Sequence, residues 1–222
     1  MMAENDKILE IHVAEDDDTQ KLRAWWKKNG MGMVAGVAIG VAGVGGFKGW
    51  QVYTENRALS ASDVFQEMLA YDESGSVEQA QDRAQMLAKD YRSTPYVDMA
   101  YLMIAKLAIK NNELSNAMEA LTHVMTKSND PAMRQLARLR LARVTLLAGD
   151  LVRAQELVTT DDVGGFESEY PEVLGDILVA QHKYSDAAEA YDRALQALAP
   201  ASSSRALLTS KRNYAGSIGS NQ

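Results

Sequence analysis

The sequence predicts an all-α protein: a single N-terminal transmembrane helix followed by a solenoid of helical hairpins with a C-terminal capping helix. Three observations predict it. Residues 31–47 form an uncharged apolar run, the one stretch of the chain long enough to cross a bilayer. Four alanines, Ala80, Ala117, Ala154 and Ala187, recur at spacings of 37, 37 and 33 residues, each after a turn-like cluster. The composition is Ala- and Leu-rich with 4 Pro and 3 Phe, as helical proteins are.

The chain opens on an acidic leader. Residues 1–20 carry Glu15, Asp16, Asp17 and Asp18, and their apolar set of Ile8, Leu9, Ile11 and Val13 is too small to fold alone. This segment reads as disordered. Thr19 can then cap a helix that leads through Leu22, Trp25 and Trp26 toward the membrane. Residues 1–28 are the tail and juxtamembrane helix.

The apolar run is bracketed by Trp25, Trp26, Lys27 and Lys28 on one side and by Lys48, Trp50 and Tyr53 on the other. Aromatic collars and flanking cations place helix ends at the two headgroup layers. At about 1.5 Å per residue the run spans roughly 26 Å against a hydrocarbon core of about 30 Å. Snorkelling by Lys28 and Lys48 extends the span to residues 29–50. Lys21, Arg23, Lys27 and Lys28 precede the run, whereas Lys48 and Arg57 follow it, an asymmetry that predicts a cytoplasmic N-terminus and an exported C-terminal domain. A cleaved signal peptide is the competing reading, but the acidic leader is unusual for one and no Ala-x-Ala site follows.

Six of the 17 residues in the run are Gly, so its hydrophobicity is marginal. Gly32, Gly36 and Gly40 stand at i, i+4 and i+8 on one face, where another membrane helix can approach closely. Gly is also simply common in membrane spans. Gly40 and Gly45 have phosphate-loop spacing, but Gly46 and Phe47 replace the Lys and Ser/Thr such a loop requires.

Residues 51–215, about 165 positions, suffice for one domain with a real core. There is no Cys, the net charge is −7, and no basic stripe is present to neutralise phosphates, which argues against nucleic-acid binding. In the last repeat Leu174 and Gly175 lie on a first helix, with Tyr184, Ala187, Tyr191 and Ala194 at helical spacing on a second. That is the tetratricopeptide pattern, in which small residues sit where paired helices cross. The second repeat pairs Tyr101, Ile104, Ala105 and Ala108 with Ala117, Leu121 and Val124. The third has Leu141, Ala142 and Ala154, and Gly164 and Gly165 curtail its second helix. The first sets Val64, Phe65 and Met68 against Ala80, Ala84, Leu87 and Tyr91; its first helix continues from the span, since no Gly occurs between Gly49 and Gly75. A closing helix over residues 204–214, with Leu207 and Leu208 inward, covers the last apolar face, and residues 216–222 read as a disordered tail.

Residues 20–30, Gln-Lys-Leu-Arg-Ala-Trp-Trp-Lys-Lys-Asn-Gly, resemble the entrance to the span in YfgM-type proteins, the ancillary subunits of the SecYEG translocon of Gram-negative bacteria. Residues 139–144 and 174–178 carry the same resemblance in the third and fourth repeats, and it extends over about residues 15–200. The resemblance implies a single-span inner-membrane protein with a periplasmic tetratricopeptide domain. It implies association with the translocon and with the periplasmic chaperone PpiD, to assist newly exported proteins.

Catalysis finds little support in the residues. His12, His123 and His182 are far apart, no metal-ligand spacing exists, and no Ser lies in a Gly-x-Ser-x-Gly turn. Asp161 and Asp162 before Gly164 lack calcium-loop spacing and read as a solvated turn. Neither a metal nor a cofactor is expected. The functional surface of a hairpin stack is the groove lined by its first helices. In the repeat register this groove presents Met99, Leu102 and Lys106, then Leu136, Leu139 and Arg143, then Glu169, Glu172 and Asp176. Such a surface would take apolar anchors at one end and a basic segment at the other, unless the closing helix fills it. The alternative to a translocon partner is a membrane-anchored signalling or envelope-assembly scaffold that works through its cytoplasmic tail.

Overall fold

The computed structural model describes residues 4–220, with side chains from Asp18 onward. Among the described residues there are nine helices and no strand. They are α1 (Glu4–Glu73), α2 (Val77–Asp90), α3 (Tyr96–Lys110), α4 (Leu114–Lys127), α5 (Pro131–Leu147), α6 (Leu151–Val158), α7 (Glu169–Ala180), α8 (Tyr184–Ala197) and α9 (Arg205–Gly219). The chain divides into two units within α1, after Asn56.

In the first unit the described side chains are almost all exposed. Residues 18–73 of α1 contain an 18-residue window of mean hydropathy 1.7 that is only 6 % buried, so this is a helix long and apolar enough to cross a membrane. Trp25, Trp26 and Trp50 are each about half exposed or more. A Cβ added at Gly32, Gly36 or Gly40 would meet nothing within 4 Å, so the glycine face is bare. Thr19, expected as a cap, lies inside α1, since no Gly or Pro interrupts the chain before Gly30. The acidic leader, expected to be disordered, is helical from Glu4 as part of α1, and its side chains up to Asp17 lie outside the described residues.

The second unit is built from hairpins: the end of α1 with α2, α3 with α4, α5 with α6, and α7 with α8, followed by α9. Ala80, Ala117, Ala154 and Ala187 are all 0 % exposed. Each stands in the first turn or so of a second helix, where any larger group would push its partner away. The hairpin turns share one backbone device. Gly75, Asn112, Gly149 and His182 have φ of 76°, 62°, 85° and 60°, a left-handed conformation just past the end of each first helix. The following residue then donates its N–H to a carbonyl five positions back: Ser76 to Tyr71, Glu113 to Ala108, Asp150 to Thr145 and Lys183 to Leu178. These bonds satisfy carbonyls that the helix end would leave orphaned. Only two of the four turns use Gly; Asn112 tolerates the conformation, and the His182 ring lies 3.0 Å from the Tyr184 hydroxyl.

Helix α6 has 8 residues where α2, α4 and α8 have 14, as expected from the breaking glycines. The loop after it is not merely solvated. Gln135 Nε2 donates to Asp162 at 2.7 Å, and the Tyr170 hydroxyl donates to Gln135 Oε1 at 2.5 Å. Gln135 is 4 % exposed, so this pairing removes the cost of burying an amide and ties the loop to α5 and α7. Burial first, and the nearby Asp162 charge second, push the Tyr170 hydroxyl above its ordinary range against the opposing pull of Arg138.

The closing helix departs from expectation twice. Leu208 is buried, but Leu207 is 62 % exposed, because one helical step of about 100° carries it off the packed face. Residues 216–219, expected as tail, are helical. Ala215 is fully buried, and at Gly219 a Cβ would fall 3.0 Å from the Ser185 backbone nitrogen, so close packing against α8 holds this last turn.

At Gly149 the space around an added Cβ is open, so a side chain there meets only backbone strain. Gly149→Val is expected to lower the unfolding free energy by about 1–2 kcal/mol, and Gly149→Asn by much less. Urea denaturation followed by circular dichroism of the three proteins measures both differences.

Candidate functional site

The first helices of the first three hairpins enclose a groove of about 630 Å³. Its walls come from Phe65, Met68 and Leu69 on α1, from Met99, Leu102, Met103, Lys106 and Ile109 on α3, and from Arg140, Arg143 and Val144 on α5. Helical spacing explains the set: Met99, Leu102, Lys106 and Ile109 fall on one face of α3, and Arg140, Arg143 and Val144 on one face of α5. Met99, Leu102, Lys106 and Arg143 therefore lie together, as the repeat register predicts.

Leu139 does not. It is 1 % exposed and packs with Ala142, Tyr170, Val173 and Ile177 in the core between α5 and α7. The groove position belongs to its neighbour Arg140, a register error of one residue, which on a helix turns a side chain through about 100°. Leu136 is half-buried and takes no part in the groove wall. Counting the repeat register back from Ala117 puts Leu136 and Leu139 on the groove side, but the observed turn of α5 carries Leu139 into the core.

The acidic residues of α7 form a different site. Lys211 of α9 donates to Glu172 Oε1 at 2.7 Å and to Asp176 Oδ2 at 3.0 Å. The Tyr191 hydroxyl donates to the other Asp176 oxygen at 2.7 Å. Gly175 makes this possible: an added Cβ would sit 2.5 Å from the Tyr191 ring, so only Gly lets the ring lie flat along α7. Glu169, at the start of α7, is half-buried and outside this cluster. The acidic patch expected to receive a basic segment from elsewhere is thus filled by the closing helix. Sequence reasoning found both carboxylates but not Lys211, whose pairing across 35 and 39 residues leaves no local pattern.

Burial alone would lower the Lys211 ammonium, but the hydrogen bonds and charges of Glu172 and Asp176 outweigh it and hold the group above its ordinary value. Tyr191 is pushed well above its ordinary range, by burial first and then by its bond to Asp176. His123 lies below its usual value because burial, Lys127 and Arg92 outweigh Asp98. It stacks on Tyr101 with ring centroids 3.8 Å apart. Among the described residues no group of three or more His, Cys, Asp or Glu could hold a metal ion.

The tetratricopeptide repeat-like domain family matches residues 23–217. The chain belongs to this family. Its hairpins, buried crossing alanines and closing helix are the architecture that membership implies. The chain of this tetratricopeptide repeat-like protein is also 28 % identical over 182 residues to a protein of Aggregatibacter actinomycetemcomitans named ancillary SecYEG translocon subunit. That match covers 82 % of this chain and 89 % of the relative. A protein of the same name from Haemophilus influenzae is 28 % identical over 83 % of this chain and 90 % of its own length, and one from Escherichia coli is 24 % identical over 83 % and 88 %. The resemblance read from the membrane entrance and the third and fourth repeats is therefore matched over most of the chain.

A lysine raised in the fold adds stability that is complete below its ordinary 10.5 and fades as pH climbs through the higher folded value. Lys211→Met is expected to cost about 1–3 kcal/mol at pH 8 by leaving two half-buried carboxylates without their cation. The gap between wild type and variant narrows only above about 10.5. The difference in thermal midpoint between the two proteins, followed against pH, measures the lysine's contribution.

Proposed function

We propose that this chain is an ancillary subunit of the SecYEG translocon in the bacterial inner membrane, acting by binding rather than by catalysis. The observation that carries the proposal is the match to three proteins of that name over more than four-fifths of the chain. In this reading α1 is the membrane anchor. The cation asymmetry, with Lys21, Arg23, Lys27 and Lys28 before the apolar run, puts the N-terminus in the cytoplasm and the repeat domain in the periplasm. The bare face of Gly32, Gly36 and Gly40 is the contact for a neighbouring membrane helix, because absent side chains allow backbones to approach. The groove between α1, α3 and α5 holds a segment of a periplasmic partner, a PpiD-like chaperone or an exported chain.

The test is recovery of tagged full-length protein from detergent-solubilised inner membranes. Wild type is expected to bring SecYEG with it. Gly36→Leu, whose Cβ meets nothing within 4 Å beyond its own helix backbone and which makes the span more apolar, is expected to insert equally and recover less than half as much. In the same membranes, protease added from the periplasmic face is expected to remove the domain after Trp50 and spare the first thirty or so residues. Absence of SecYEG from the wild-type material, or protection of the large domain, contradicts the proposal.

A further inference from the structure

The floor of the groove is apolar, built from Phe65, Leu69, Met99, Leu102 and Ile109. Its cations are not equivalent. Lys106 is already paired with Asp72 on α1. Arg140 makes no hydrogen bond or ion pair among the described residues, and its side chain is exposed. Arg143 has one contact, 4.0 Å from Glu172, at the outer limit of an ion pair, and Glu172 itself is held at 2.7 Å by Lys211. Two guanidinium groups one helical turn apart therefore line the α5 wall with no close carboxylate of their own. The carboxylates beyond them, Glu172 and Asp176, share the Lys211 ammonium of α9, and Asp176 also accepts from the Tyr191 hydroxyl.

This arrangement reverses the polarity expected from the order of charges along the chain. A cationic segment entering from α1 would meet Arg140 and Arg143 first, and would find the acidic residues beyond them occupied. An anionic group there gains planar, paired donors beside an apolar surface, where charge-assisted bonds are stronger than in open water. We infer that the groove accepts a short apolar protein segment that ends in acidic residues, with its carboxylates on Arg140 and Arg143 and its apolar side chains against α3 and α1. The inference rests on the groove reading proposed above and adds the chemistry of its occupant. Three adjacent helices span two interaxial distances of about 9 Å, roughly 18 Å, which five or six extended residues cover.

The experiment uses full-length protein in nanodiscs of zwitterionic lipid. Two fluorescent peptides share six apolar residues and differ only in ending in Asp-Glu or Lys-Arg. Their affinities are measured by anisotropy for wild type, for Arg140→Ala with Arg143→Ala, and for Arg140→Glu with Arg143→Glu. Wild type is expected to bind the acidic peptide at least tenfold more tightly than the basic one. The alanine pair is expected to abolish that preference, and the glutamate pair to invert it, which an unfolded variant could not do. Equal binding of the two peptides to wild type overturns the assigned polarity while leaving the groove as a binding surface. Binding of neither overturns the groove reading as well. Persistence of the acidic preference in the alanine pair shows that other cations are responsible and refutes the role of the arginines. Displacement of the acidic peptide by nanodiscs of anionic lipid, but not zwitterionic lipid, assigns the groove to lipid and refutes a protein occupant.

Discussion

The close approach of paired helices at Ala80, Ala117, Ala154 and Ala187 is the constraint on which the repeat unit depends. Each methyl is fully buried, so the distance between the helices of a hairpin is set by the smallest side chain that still favours a helix. Close helices need short turns. The left-handed residues at 75, 112, 149 and 182 supply them, reversing the chain within about three residues while still satisfying the helix-end carbonyls. Because the same construction recurs, each hairpin leaves apolar flanks that only a neighbouring hairpin can cover, and the core divides into four clusters along the stack. The stack ends where α9 covers the last flank with Leu208 and Ala215.

The closing helix does more than cover apolar surface. Lys211 reaches the two carboxylates of α7, Tyr191 bonds to one of them, and Arg212 pairs with Asp192 on α8 at 3.0 Å. Within the repeat domain this partitions the first-helix surface into a closed acidic part and an open part. The open part has an apolar floor and a wall carrying Arg140 and Arg143. The open part is what the intramolecular pairings leave over: Lys106 and the α7 carboxylates have close partners, whereas Arg140 has none among the described residues and Arg143 only a contact of 4.0 Å.

Features with a period or a local composition were legible in the sequence. The apolar run with its aromatic collars, the spacing of the alanines, the shortened α6 and the continuation of α1 into the first hairpin all leave marks within a few residues of each other. What was not legible lacks a period. The Tyr170, Gln135 and Asp162 network joins residues 27 and 35 apart, and the Lys211 pairings span 35 and 39. Met99, Leu102 and Lys106 of α3 and Arg143 of α5 line the groove, whereas Leu139 does not, because Leu139 and Arg140 swap core for surface across a single helical step. The final turn of α9 reads as a Gly- and Ser-rich tail until Gly219 is seen against the Ser185 backbone.

In the function proposed above, the open groove across α1, α3 and α5 is where this chain meets a protein partner. Site-specific photocrosslinking in intact cells tests it most directly, with the reactive residue placed at Leu102 in the groove or at the exposed Val152 and Leu207 outside it. The account predicts a discrete crosslinked periplasmic species from position 102 and none of comparable yield from 152 or 207. Crosslinking from 152 or 207 with none from 102 would contradict it.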